Sequence, residues 1–213
     1  MLGHLHILQW LRANDACPWT VDLCRTAAKA GQLEALQWLR YQDSPCPWDG
    51  TTCIEAAAGG HLDVLRWARA QDPPCPWGES QRYKGFFSAA TAAAKAGHLH
   101  VLQWVRVQDP PCEWDTRTSA NAARGGHLEV LEWLQAQDPP CPIDGRSCAW
   151  AAEGGHMLVL QWLRAQNPPC PWDEGHSVTG AARAGHMNVL QWLRAQVPPA
   201  PWDEFTCAAA GGG

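Results

Sequence analysis

Ten cysteines and nine histidines are the residues of this 213-residue chain best equipped for chemistry. Together they suit zinc coordination or thiol exchange. Their placement argues against both, because most of them belong to a phrase that recurs along the chain. Equivalent residues in adjacent helical copies stand about 8–10 Å apart. Zinc holds its ligands at about 2.0–2.3 Å, so His61, His98 and His127 cannot share an ion. A disulfide needs Cα atoms within about 7 Å, so Cys46, Cys75 and Cys112 are not expected to join. Inside single copies, Cys17/Cys24, Cys46/Cys53 and Cys141/Cys148 repeat a Cys-x6-Cys spacing. That is neither a redox pair nor a zinc knuckle. The cysteines therefore read as small buried hydrophobes, and the histidines as residues that order a turn.

Tryptophan and arginine form two further series. Trp10, Trp38, Trp67, Trp104, Trp133, Trp162 and Trp192 recur in one element of each copy, and Trp19, Trp48, Trp77, Trp114, Trp172 and Trp202 in the connector. Aromatic rows can stack nucleic-acid bases. An indole also buries about 150–250 Å², which favours core packing between copies. Arg12, Arg40, Arg69, Arg106, Arg164 and Arg194 end the same elements. There they oppose the negative pole of a helix and are expected on a solvated face. One copy departs from the pattern: Ile143 replaces the connector tryptophan and Trp150 appears at a position that is otherwise variable. Trp150 is either a contact anchor or a side chain filling the space that Ile143 leaves.

The elements that carry these residues follow from the period. The phrase Gly-His-Leu-x-Val-Leu-Gln-Trp-Leu-Arg-Ala-Gln, with variation, starts at Gly3, Gly31, Gly60, Gly97, Gly126, Gly155 and Gly185. Tandem units of this size mean stacked supersecondary modules. Leu62, Val64, Leu65, Trp67 and Ala68 between polar Asp63, Arg66 and Arg69 predict a helix packed on more than one side. A first helix is predicted from Cys24, Ala27 and Ala28 and from their counterparts Cys53, Ala56 and Ala57. Such a small-faced stripe lets helices approach closely. Asp49, Asp115 and Asp144 stand where an N-cap belongs, and Thr20 takes that place in the first unit. Gly60 and its equivalents end the first helix and reverse the chain. All 17 prolines fall in the connectors, which are therefore extended and stiff.

The run Ala93-Ala94-Lys95-Ala96-Gly97-His98-Leu99-His100-Val101-Leu102 resembles the helix-turn-helix of the ankyrin repeat family. The period is shorter than the usual ankyrin repeat and the Thr-Pro-Leu-His opening is absent. The variant resembles the Trp-rich ankyrin-like arrays of protists and giant viruses. The resemblance implies an all-α fold: an α-solenoid of stacked helix-turn-helix repeats with short Pro-rich fingers, spanning residues 1–213 as one domain. It also implies a protein-interaction scaffold that binds a protein partner along its fingers and first helices, and no catalysis.

One insertion, at about 78–88, interrupts the period. Its Arg82, Tyr83, Lys84, Phe86 and Phe87 are of kinds enriched at interfaces, and insertions into repeats tend to fall on a binding face. A local packing patch over the fourth repeat is the other reading. With Trp150 they make up the candidate binding residues; none is a candidate for catalysis or metal binding. No cofactor is expected, since no nucleophile, base and oxyanion set stands outside the repeat. A net charge of −5 argues against a phosphate-neutralising nucleic-acid binder. No apolar run approaches the roughly 20 residues of a membrane span. The N-terminal phrase lacks the marks of a signal peptide, so a cytoplasmic or nuclear location is expected. Neither end carries a polar capping unit, which predicts a fragment of a longer array or end-to-end self-association. The reading from another class is a thiol- or metal-dependent protein using its Cys and His.

Overall fold

A computed structural model describes residues 5–14, 18–78, 88–173, 175–202 and 205–211. Fourteen helices and no strand occur among them. In chain order they are α1 (Leu5–Ala13), α2 (Val21–Lys29), α3 (Leu33–Arg40), α4 (Gly50–Ala58), α5 (Leu62–Arg69), α6 (Ala89–Ala96) and α7 (Leu99–Arg106). There follow α8 (Thr116–Arg124), α9 (Leu128–Gln135), α10 (Gly145–Glu153), α11 (Met157–Ala165), α12 (His176–Arg183), α13 (Met187–Ala195) and α14 (Phe205–Gly211). The expected alternation holds: a lone second helix, six pairs and a trailing first helix.

Two compact units divide the chain. One takes in the described residues up to Ala93 together with His100–Glu113; the other takes in Ala94–Leu99 and the described residues from Trp114 onward. In the first unit, first helices α2 and α4 lie side by side, each folded back on its own second helix, α3 or α5. In the second, α8, α10, α12 and α14 pack in succession, and α9, α11 and α13 pair with the first three of them.

Local chemistry sets the helix boundaries. The Asp49 carboxylate accepts from the amide of Thr51 at 2.9 Å, and Asp115 and Asp144 do the same for Arg117 and Arg146. Asp115 completes a capping box with Thr118. Each such cap satisfies an orphan amide and is worth about 1 kcal/mol. Thr20 occupies the cap position of α2, but its side chain makes no cap hydrogen bond. In the sixth pair one extra residue moves the cap to Gly175, at φ +83°. At the other end of the first helix, Gly60 and Gly126 both adopt φ +75°, the left-handed turn that sends the chain back.

The core is built from Leu, Val, Ala and Cys. Leu36, Leu39, Leu65, Leu131, Leu134, Leu160 and Leu163 are almost fully buried, as are Ala28, Ala57, Ala123 and Ala152 on the close-packed faces of the first helices. The helix tryptophans expected in this core are instead half-buried from Trp38 onward, and Trp10 is exposed. Their rings lie against the fingers, as Trp67 does on Trp48 and Trp133 on Trp114.

Candidate functional site

Arg40, Arg69 and Arg164, each at the end of a second helix, fasten the finger that follows. At the close of α5, Arg69 donates to the Cys75 carbonyl at 2.7 Å and stacks over the Trp77 ring at 4.3 Å. Trp77 donates its indole N–H to the Pro110 carbonyl at 3.0 Å and meets Trp104 edge-on, with centroids 5.9 Å apart. The same guanidinium stack recurs at Arg12/Trp19, Arg40/Trp48, Arg164/Trp172 and Arg194/Trp202. Arg12 and Arg194 are exposed, as dipole placement suggested, while Arg40, Arg69 and Arg164 are half-buried against their fingers. A cation over an indole contributes about 0.5–2 kcal/mol, and a hydrogen bond from a charged group about 1.5–3.

Histidine fastens the turns. Nε2 of His156 lies 2.9 Å from the Arg124 carbonyl, 32 residues earlier, and His61, His127 and His186 reach Lys29, Lys95 and Glu153 in the same way. A carbonyl only accepts, so Nε2 carries the proton. The ring fits against glycine: a Cβ on Gly126 would stand 2.5 Å from Nδ1 of His156, and one on Gly154 2.5 Å from its Cδ2. The histidine orders its own turn, as expected, and also ties that turn to the preceding repeat.

The cysteines meet in a register that sequence spacing did not suggest. The finger thiols of Cys46, Cys75, Cys141 and Cys170 donate to the carbonyls of Thr20, Asp49, Asp115 and Asp144, each 26 residues back. The helix thiols of Cys24 and Cys53 point at the Cys46 and Cys75 carbonyls, 22 residues on. The contacts are thus Cys24 with Cys46, Cys53 with Cys75 and Cys148 with Cys170, across the finger. Hydrogen bonding to the neighbouring thiol, then burial, pushes Cys24, Cys53 and Cys148 well above the ordinary thiol range. Burial does the same at Cys112. These are protonated, packed thiols. Among the described residues all cysteines are free, all but Cys207 are buried, and no three His, Cys, Asp or Glu side chains converge on a metal position.

The variable residues lie elsewhere, on the first helices. One position reads Thr26, Glu55, Ala92, Asn121, Trp150 and Gly180 through the repeats. In the second unit Trp150, half-buried on α10, sits in register with Gly180 on α12. The large side chain beside the absent one opens a groove of about 220 Å³, lined by Trp150, Glu153, Asp173, His176, Gly180 and Arg183. Arg124 lies over the Trp150 ring at 5.6 Å and pairs with Glu153 at 3.0 Å. Along the same face Asp115 pairs with Arg117 and Asp144 with Arg146. Burial disfavours the Asp115 anion, but the guanidinium and amide of Arg117 outweigh it and hold the carboxyl below its usual range. Arg82, Tyr83, Lys84, Phe86 and Phe87 lie outside the described residues.

No protein-family model matches the chain. No curated protein matches it either. Among solved structures it is similar to the crystal structure of the human ASB11 ankyrin repeat domain, at 15% identity and a TM-score of 0.49, over 79% of this chain and 80% of that one. What describes the chain most directly is its own geometry: short helical hairpins reversed at a left-handed glycine, closed by a proline finger and laid first helix against first helix within each unit. Among its described residues the chain is an all-α series of helix-turn-helix repeats.

Proposed function

We propose that this chain is a protein-interaction scaffold that binds a protein partner along its fingers and first helices, without catalysing a reaction. One observation carries the reading. The residues that repeat are engaged in holding the hairpins, while one first-helix position changes from copy to copy, exposed at Thr26 and half-buried at Glu55 and Trp150. Arg69, Trp77, His156 and Cys75 all have intramolecular partners. The first helices also expose Lys29, Lys95, Arg124 and Arg183 at their ends. A constant frame with variable surface residues suits recognition of another protein.

The repeat phrase continues on both sides of the insertion at about 78–88, which supports reading residues 1–213 as one repeat domain. Within it, Arg82, Tyr83, Lys84, Phe86 and Phe87 are the proposed finger contacts and Trp150 the proposed first-helix contact. No helix among the described residues is long and apolar enough to cross a membrane. Eight buried unoxidised thiols suit a reducing compartment, the cytoplasm or nucleus. Capture of the native partner tests the finger contacts: the triple variant Arg82→Ala, Tyr83→Ala, Lys84→Ala is expected to lose it. Unchanged capture would remove the insertion from the interface.

Thiol titration separates the scaffold from a thiol- or metal-dependent protein. The scaffold reading expects Cys207 to react in the native state, and Cys24, Cys53 and Cys148 only after unfolding. Fast labelling of those three would favour thiol chemistry instead.

A further inference from the structure

We infer that the groove between α10 and α12 is an anchor site for an acidic segment of a partner protein, taking one large apolar side chain against Trp150 and a neighbouring carboxylate on Arg183. This deepens the scaffold reading and rests on it. Both shape and charge point to this occupant.

The shape comes from a pairing found once along the first helices: Trp150 opposite Gly180 at equivalent positions. Asn121, one repeat earlier, turns its amide back onto the Arg117 carbonyl at 2.9 Å and is buried, so no comparable wall stands there. Beside Trp150 the missing side chain of Gly180 leaves about 220 Å³, room for one bulky apolar group. Gly180 is not required by its backbone: it is helical, and an added Cβ would meet Glu153 Cβ at 3.2 Å and the Ala149 carbonyl at 3.6 Å. A methyl group there asks for a shift of Glu153 by a few tenths of an ångström, and alanine would raise helix propensity. The glycine's structural effect is to keep the groove open.

The charge comes from an incomplete set. Of the four charged or titratable groups around the groove, Glu153 is held by Arg124 at 3.0 Å, and Asp173 lies 3.5 Å from His176. Arg183 has no acidic partner among the described residues, and the next first helix, α14, contains no acidic residue. The site that Glu153 fills for Arg124 is therefore open for Arg183. A carboxylate from outside completes it in the forked geometry that guanidinium favours. An indole wall with a central pocket and a polar rim is the arrangement of an interface anchor.

The test selects a displayed library of random peptides on the full chain and measures the recovered sequences by fluorescence polarisation. The expected consensus is an aromatic or leucine-sized residue beside Asp or Glu. Gly180→Leu, which fills the groove, and Arg183→Glu, which reverses an exposed charge, are each expected to weaken binding by about tenfold or more. Changing the peptide acid to Lys is expected to restore binding to Arg183→Glu. Thermal melts check that both variants fold; Arg183→Glu alters only an exposed side chain and keeps the test valid if Gly180→Leu misfolds. A basic consensus, or peptides that bind both variants as tightly as the parent, would overturn the groove assignment and leave the scaffold reading standing. Failure to recover any binder would count against both.

Discussion

The fingers that end at Trp77 and at Ile143 share a backbone and differ in side chains. Both close the same way: Cys75 donates its amide to Ala68 at 3.1 Å, and Cys141 donates to Leu134 at 3.0 Å. Both cysteine carbonyls accept from the residue that ends the second helix, Arg69 in one and Gln135 in the other. Only the first stacks that residue on an indole. The arginine and the tryptophan are replaced together, while the hydrogen bond to the finger carbonyl survives. The bond is thus the common element of closure, and the cation–indole stack is reinforcement that a repeat can do without.

The largest expected effect is on the aromatic side of this difference. Trp77→Ala removes a half-buried indole, its stack and its bond to Pro110, and is expected to cost about 2–4 kcal/mol in a denaturant melt. Ile143→Ala is expected to cost only about 1 kcal/mol. Equal costs would mean that the indole does not fasten its finger. Next comes the donor. Arg69→Ala is expected to lose about 1.5–3 kcal/mol, against about 0.5–1.5 for Gln135→Ala, because a charged donor gives way to a neutral one. Arg69→Gln keeps the bond and falls between. Smaller still is the gain from converting the weaker finger: Gln135→Arg with Ile143→Trp is expected to add about 0.5–1 kcal/mol beyond the sum of the single changes. Strict additivity would show that the two positions do not act as a pair.

The smallest effect lies just upstream, at Asp115. Its carboxyl titrates below its ordinary value in the folded chain. Its contribution is complete above about pH 3.9 and is lost as pH falls through the lowered folded value. Asp115→Asn is therefore expected to flatten the acid limb of a stability–pH curve and leave its shape at neutral pH unchanged. An unaltered acid limb would mean that Arg117 does not stabilise the anion.

Period and composition made the helices, the glycine reversals and the aspartate caps legible, because each depends on residues a few positions apart. Equivalence between repeats was legible too. What spacing did not reveal is which unlike positions meet when one hairpin lies on the next. Cys24 finds Cys46, and His156 finds the Arg124 carbonyl, because stacked helices are offset by an amount that the period does not encode. The half-burial of the helix tryptophans has the same origin: their rings meet finger rings, as Trp67 meets Trp48. Trp150 stood out in the sequence as an aromatic at a variable position. Its groove did not, since that also depends on Gly180 being the side-chain-free neighbour across the helix contact.

The stacking of one hairpin on the next is the central claim, and it is tested most directly by a nuclear Overhauser measurement at His156. The ring protons are predicted to contact the α-protons of both Gly154, in the same turn, and Gly126, one repeat earlier. Contacts to Gly154 without any to Gly126 would show that the histidine serves only its own turn, and would contradict the inter-repeat tie.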